Sequence, residues 1–345
     1  MSKCKLSICI PVYNSADFLS ATLDSIIPQL GDSTEIIIYD GGSTDQTATL
    51  VQKYLDLCPS LHYFSSPVRG GIDADMAKVV SYANGEYVWL FSGDDVMRQN
   101  AINRVLTWIV GGCDVYLSEH TICDRDMNIR FFHPTFTPNH FIECELSDPI
   151  RRKEWFLKAQ TTEAFFSFIS SIIVKKEKWD EGRLIGEYDG SCWAHIARFF
   201  DLASNGLSVC YVPEVLLDAR GFNDSFANSG VVKRFGLAID GFHRLGSSFF
   251  GSDSEEAHHV RRIICNEFTL RMFLYAKKKC RENPALESKQ LLNQLMLKAY
   301  CDHTSKNLIT KLIYFAFPAW LYDPISNMLK LTKKFLNLLN IKFNY

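Results

Sequence analysis

The 345-residue chain has no CxxC pair among its eleven cysteines, no surplus of basic charge and no apolar run near the ~20 residues that span a bilayer. Each absence removes a class of protein. Cysteines scattered at 4, 9, 58, 113, 123, 144, 192, 210, 265, 280 and 301 fit reduced thiols better than a disulfide framework or a zinc site. Thirty-seven Lys and Arg against 39 Asp and Glu leave a net charge of −2, whereas a general nucleic-acid binder is usually strongly basic. No nucleic-acid partner is therefore expected. The apolar stretch 5–10 runs into Pro11 and is too short for a signal-peptide core, so the chain is expected on the cytoplasmic side. Hydrophobic residues at 47% and charged residues at 22% are ordinary for a globular protein and exclude a disordered one.

What is present is an alternation of two periods. Apolar, β-rich runs at 6–10, 35–39, 61–64, 86–91 and 114–117 are separated by helical patterns at about 16–29, 45–57, 73–83 and 98–110. Such alternation predicts right-handed crossovers and a largely parallel sheet with helices on both faces. Ligands of these sheets bind beyond the carboxyl ends of the strands. His133-Pro134, Thr137-Pro138 and Asp148-Pro149 then loosen the pattern. A helix at 151–160, a strand at 168–175, a helix at about 190–204 and a strand at 208–212 follow. Beyond the loop at 218–230 the chain reads as helices at 231–250, 254–282 and 286–303.

Three strand ends carry suggestive residues: Pro11-Val12-Tyr13-Asn14, Asp40-Gly41-Gly42-Ser43-Thr44-Asp45, and Ser92-Gly93-Asp94-Asp95. Singly, each reads as a turn or a helix cap. Together they read otherwise. Adjacent carboxylates at the end of an apolar strand repel unless a cation neutralises them, and Mg²⁺ or Mn²⁺ held by one or two carboxylates plus substrate phosphates does so. Asp40 could accept a hydrogen bond from a nucleobase, Tyr13 could pack on it, and Arg69, beside Gly70-Gly71, could meet a phosphate. These residue types describe a site for a nucleoside diphosphate with its metal.

Over about residues 5–225 the sequence resembles the family 2 glycosyltransferases of GT-A fold. The resemblance is carried by Pro11-Val12-Tyr13-Asn14, by Asp40-Gly41-Gly42-Ser43-Thr44-Asp45, and by Ala83-Asn84-Gly85-Glu86-Tyr87 leading to Asp94-Asp95. It implies that Pro11, Tyr13 and Asp40 bind the nucleoside, that Asp94 lies near the ribose and that Asp95 holds the metal. Family members carry an acid four residues before an aromatic, which here selects Asp189 before Trp193 as general base, with Glu187 as base or a simple helix N-cap as the alternatives. Arg220 would clamp the diphosphate or form a surface ion pair. The stretch 220–226, the run 89–95 and Gly190-Ser191-Cys192-Trp193-Ala194-His195 resemble the abequosyltransferase-like subgroup of O-antigen enzymes. Two positions depart from the family pattern. Gly41 stands where many members have a second acid, and Asp73-Ala74-Asp75-Met76-Ala77-Lys78 matches a DA-x-N-K run only loosely. That leaves open which of Asp73 and Asp75 enters the site and which is a first-turn acid favoured by the helix dipole. His195 reads as a partly buried helix histidine or a metal ligand.

Residues 1–230 are expected to form the GT-A core, with 1–120 as its nucleotide-sugar half and 121–230 as its acceptor half, and the helical pattern gives 231–304 as a helical extension. The resemblance implies a metal-dependent, inverting transfer from a nucleoside-diphosphate sugar. The alternative is an inactive module that binds a sugar nucleotide or scaffolds a membrane assembly. Residues 305–345 hold six Lys and one Asp, a charge of +5, and eight aromatic residues, leaving −7 on the rest. A Lys-rich amphipathic, aromatic segment predicts attachment to a membrane surface. The expected acceptor is then a lipid-linked, undecaprenyl-diphosphate type oligosaccharide at the cytoplasmic face of a bacterial inner membrane.

Overall fold

The computed structural model describes residues 4–132, 134–182, 186–221 and 229–328. Ten strands form one sheet: β1 (Leu6–Val12), β2 (Thr34–Asp40), β3 (Leu61–Ser65), β4 (Tyr87–Leu90), β5 (Val96–Met97), β6 (Val115–Cys123), β7 (Ile129–Phe132), β8 (Ile142–Glu145), β9 (Ile172–Lys175) and β10 (Ser208–Arg220). Their order is β3-β2-β1-β4-β9-β6-β10-β5, with β7 on β6 and β8 on β10. β3, β2, β1 and β4 are mutually parallel, and β6 pairs parallel with β10. β9 runs antiparallel to both β4 and β6, so the sheet as a whole is mixed. The carboxyl ends of β1, β2, β4, β6 and β10 consequently share one edge.

Every residue of β1 and β2 is buried, the pattern of strands covered on both faces. Helices α1 (Leu19–Ile26), α2 (Thr47–Leu55), α3 (Ile72–Ser81) and α4 (Ala101–Trp108) connect these first strands. Leu19 and Leu23 of α1 and Ile102 and Val105 of α4 join Ile8, Ile10, Ile36, Ile38 and Trp89 in the principal core. Helices α5 (Pro149–Lys158), α6 (Lys176–Glu181) and α7 (Ala194–Ala203) serve the second half. β10 runs well past the short strand expected at 208–212. Pro213 has no N–H to donate, and the β6–β10 register shifts beside it, between Val212 and Val215.

Further helices follow, among them α8 (Val231–Phe250), α9 (Glu255–Glu267), α10 (Leu270–Glu282), α11 (Lys289–Ala299) and α12 (Ser305–Ala316). The helix expected over 254–282 is divided, with Thr269 in extended conformation before α10. The chain forms two compact units, Met1–Asp224 with His243–Ile263, and Ser225–Phe242 with Ile264–Tyr345. This division differs from boundaries at 230/231 and 304/305, because the end of α8 and most of α9 belong with the core. Residues 329–345 of the Lys-rich segment expected over 305–345 lie outside the described residues, as does most of the loop at 220–226.

One expectation about thiols is corrected. Cys113 and Cys210 are joined by a disulfide, with Cα atoms 6.3 Å apart, while nine cysteines are free. Their separation of 97 residues hides the pairing from any reading of local spacing. Cys113 stands just before β6, and Cys210 lies on β10, the strand that pairs with β6 in parallel.

Candidate active site

The loops after β1 and β2 are stitched to each other. Asn14, in the left-handed region at φ 51, donates its N–H to Ser43 Oγ at 2.8 Å and accepts Thr44 N–H on its side-chain oxygen at 2.8 Å. Asp45 accepts Ala16 N–H at 3.1 Å and Thr47 N–H at 3.0 Å. Asn14, Ser43, Thr44 and Asp45 therefore form a scaffold, and Tyr13 and Asp40 are what it presents. Asp40 is buried, accepting Ser43 N–H at 2.7 Å and the Tyr63 hydroxyl at 2.9 Å. Burial, and then Asp40 itself, push the Tyr63 hydroxyl well above its usual range, so it stays protonated and donating. No motif marks Tyr63 in the sequence. The guanidinium of Arg69 lies 4.3 Å from the centre of the Tyr13 ring, a cation–π contact.

Gly41 has a steric reason. A Cβ there would lie 2.1 Å from Asp75 Oδ2 and 2.6 Å from Asp75 Cγ. The carboxylate of Asp75, only 4% exposed, thus fills the place a second acid at 41 would take. Burial, and then the charge of Asp40, raise Asp75 to about 6, while Arg69 pulls it back. Asp75 is the acid of α3 that joins Asp40. Gly41→Ala is expected to expel this carboxylate and cost about 1–3 kcal/mol of stability as an overpacked site. In thermal melts Asp75→Ala should rescue most of that loss. Equal destabilisation with and without Asp75 would contradict the account.

At the end of β4 the two acids differ. Asp94 is half-buried and takes a hydrogen bond from Ser92 Oγ. Asp95 is buried, accepting Ser170 Oγ–H at 2.6 Å and Arg220 N–H at 2.9 Å. Burial, and then the neighbouring charge of Asp94, push Asp95 up to about 8. Ser170 stands just before β9 and carries no recognisable signal in sequence. Arg220, at the end of β10, gives its Nε–H to Asp94 O at 2.8 Å and an Nη1–H to Arg125 O, with its guanidinium 4.9 Å from the Phe18 ring centre. A cleft of about 500 Å³ opens here between Asp17, Phe18, Arg125, Met127 and Arg220.

The second half contributes Asp189, exposed in the turn before α7. Glu187 forms an ion pair with Arg244 at 2.8 Å. His195 is buried, with Nε2 3.0 Å from Phe166 O, and burial lowers it to about 4, so it is a neutral core residue. Asp73 does not join Asp75. It accepts N–H groups from Cys192 and Ala194, on the segment that follows Asp189.

The donor set bears on the expected metal. Among the described residues no three His, Cys, Asp or Glu side chains gather as a cation cage. Asp95 and Asp94 nonetheless offer a buried carboxylate whose ionisation is costly and a second one beside it. That chemistry suits Mg²⁺ or Mn²⁺ completed by substrate phosphates and water.

A strand edge with acids at the ends of β2 and β4, in a mixed sheet of this order, is an arrangement of the GT-A fold. Residues 7–176 match the family model described as Glycosyl transferase family 2, and the chain belongs to that family: it is a glycosyltransferase. It is 26% identical to the abequosyltransferase RfbV of Salmonella typhimurium, a match spanning 95% of this chain and 98% of that protein. Glycosyltransferase GlyG of Streptococcus pneumoniae matches at 23% identity over 58% of this chain and 66% of that protein. Among solved structures, S. aureus TarS 1-349 in complex with UDP-GlcNAc is similar at TM-score 0.59 and 16% identity, covering 90% of this chain and 89% of that one. At that identity the likeness is one of fold. The protein is thus a family 2 glycosyltransferase.

Proposed function

We propose that this enzyme moves a sugar from a nucleoside-diphosphate sugar to a hydroxyl of a lipid-linked oligosaccharide in bacterial O-antigen or other surface-polysaccharide synthesis. The observation that carries the reading is the buried Asp95 beside Asp94, on the same sheet edge as Asp40 and Asp75. Tyr13 and Asp40 would receive the base, and Arg220 would meet the diphosphate. Asp95, with Asp94 next to it, would hold Mn²⁺ or Mg²⁺. A cation there supplies Lewis acidity toward the leaving diphosphate. Asp189 accepts the proton of the acceptor hydroxyl as its oxygen bonds to the anomeric carbon. The bond from that carbon to the phosphate oxygen breaks on the opposite face, so the configuration inverts. Release of nucleoside diphosphate from a panel of UDP-, GDP-, CDP- and dTDP-linked sugars tests the reading. A fully folded protein that binds but never turns over any member would leave only a binding module.

The acceptor proposal rests on α12. This helix buries Asn307 and Tyr314, the latter bonded through its hydroxyl to Asn293 Oδ1 at 2.8 Å. It leaves Leu308, Ile309, Leu312 and Phe315 exposed, Leu312 at 70%, and Trp320 follows at 61%. An outward apolar face on a segment of charge +5 suits an anionic lipid surface. No described helix is long and apolar enough to cross a membrane, so attachment would be peripheral, at the cytoplasmic face of the inner membrane. Full-length protein should float with phosphatidylglycerol liposomes, and the pair Leu308→Glu with Leu312→Glu should not. Full-length protein left at the bottom of the gradient would end this proposal.

A further inference from the structure

We infer that Asp73 is a positioning residue for the loop that carries Asp189, an inference that rests on Asp189 being the base. Asp73 stands in the first turn of α3 and is only 8% exposed. Its Oδ2 accepts Cys192 N–H at 2.9 Å and its Oδ1 accepts Ala194 N–H at 3.2 Å. The N–H of Gly190 faces the same carboxylate.

The loop is built to make this contact. Gly190 has φ +76 and Cys192 has φ +67, so left-handed residues at alternate positions turn successive N–H groups toward one side. Left-handed backbone is unusual for a side chain like that of cysteine. The remaining amides are also occupied. Asp189 N–H goes to Gly186 O, Ser191 N–H to Tyr188 O, and Trp193 N–H to Ser191 Oγ. The groups at 192 and 194 have Asp73 as their acceptor. The carboxylate further sits at the positive end of the ten-residue α7. Removing it takes the acceptor from part-buried donors beside the turn of Asp189, which loosens the conformation of the loop.

The same helical turn of α3 places Asp75 against Gly41 and Asp40. One turn of helix therefore reaches the nucleoside pocket with one acid and grips the base loop with another. This explains why the acids stand at 73 and 75, and why neither is a mere dipole partner. Asp73 touches no reacting atom, and its effect passes through Asp189.

The test is a double-mutant cycle on the full chain, reading nucleoside diphosphate released from the sugar nucleotide turned over in the panel. Asp73→Ala should lower kcat about a hundredfold, the scale of a misplaced catalytic group. Asp73→Asn, which keeps one carbonyl acceptor, should fall between, and it carries the test if the alanine variant does not fold. Affinity for the matching nucleoside diphosphate, by calorimetry, should stay within about twofold of wild type. Asp73→Ala combined with Asp189→Asn should be no slower than Asp189→Asn alone, because coupled residues are non-additive. Multiplying effects, a parallel loss of nucleotide affinity, or unchanged kcat would overturn the proposal. An impaired Asp189→Asn beside an unimpaired Asp73→Ala removes this inference alone. An unimpaired Asp189→Asn removes the base assignment and this inference with it.

Discussion

Asp95→Asn is expected to make the protein more stable and almost inactive. The carboxylate is buried against Asp94, with Ser170 Oγ–H and Arg220 N–H as its donors. Its acidity is pushed from the ordinary 3.8 to about 8, first by burial and then by Asp94. Between those values the folded chain holds a proton that the unfolded chain has released. The contribution to stability is therefore complete below pH 4 and lost as pH rises to about 8. Asparagine has no such dependence, and its side chain can accept from Arg220 N–H and donate to Ser170 Oγ. At pH 8.5 with a chelator present, Asp95→Asn should melt above wild type, by a few kcal/mol, since a tenfold change in acidity is worth about 1.4 kcal/mol. At pH 4 the two curves should converge. Diphosphate release should fall about a thousandfold or more, the several kcal/mol that a cation on this acid contributes. A variant less stable than wild type at pH 8.5, or one that remains active, would refute the assignment.

Asp189→Asn should fold like wild type, bind nucleotide like wild type, and lose about 10²–10⁴-fold in kcat, the range of a general base. Its side chain is exposed in a turn, where a substitution shifts stability by about 0.5 kcal/mol or less. Glu187→Gln is the control. That side chain is committed to Arg244 at 2.8 Å, and its loss should change kcat little. If the two variants exchange behaviour, Glu187 is the base.

The strand ends were legible because short motifs there have few alternative uses once they occur in order. Asp40, Asp94 and Asp95 lie on the edge where alternation of strand and helix puts them. Their partners were not legible. Tyr63 lies on β3, Ser170 before β9 and Arg125 beyond β6, each brought in by sheet order and not by spacing. The same holds for the disulfide, whose cysteines stand just before β6 and on its neighbour β10. Asp73 and Asp75 show the limit most plainly. Two residues apart on one helix, they serve different neighbours, and only the position of Gly41 and the backbone of 190–194 separate them. The tail was read as one amphipathic element, but α12 turns its apolar face outward while burying Tyr314, which periodicity alone does not distinguish from a core-facing helix.

The central claim is that the acid pair at the end of β4 serves a cation-dependent sugar transfer. The most direct measurement is nucleoside diphosphate release by chelator-stripped full-length enzyme, across the sugar-nucleotide panel, before and after adding Mn²⁺ or Mg²⁺. Turnover should be absent in chelator and should recover with the cation in wild type but not in Asp95→Asn. Undiminished turnover in chelator would contradict the claim.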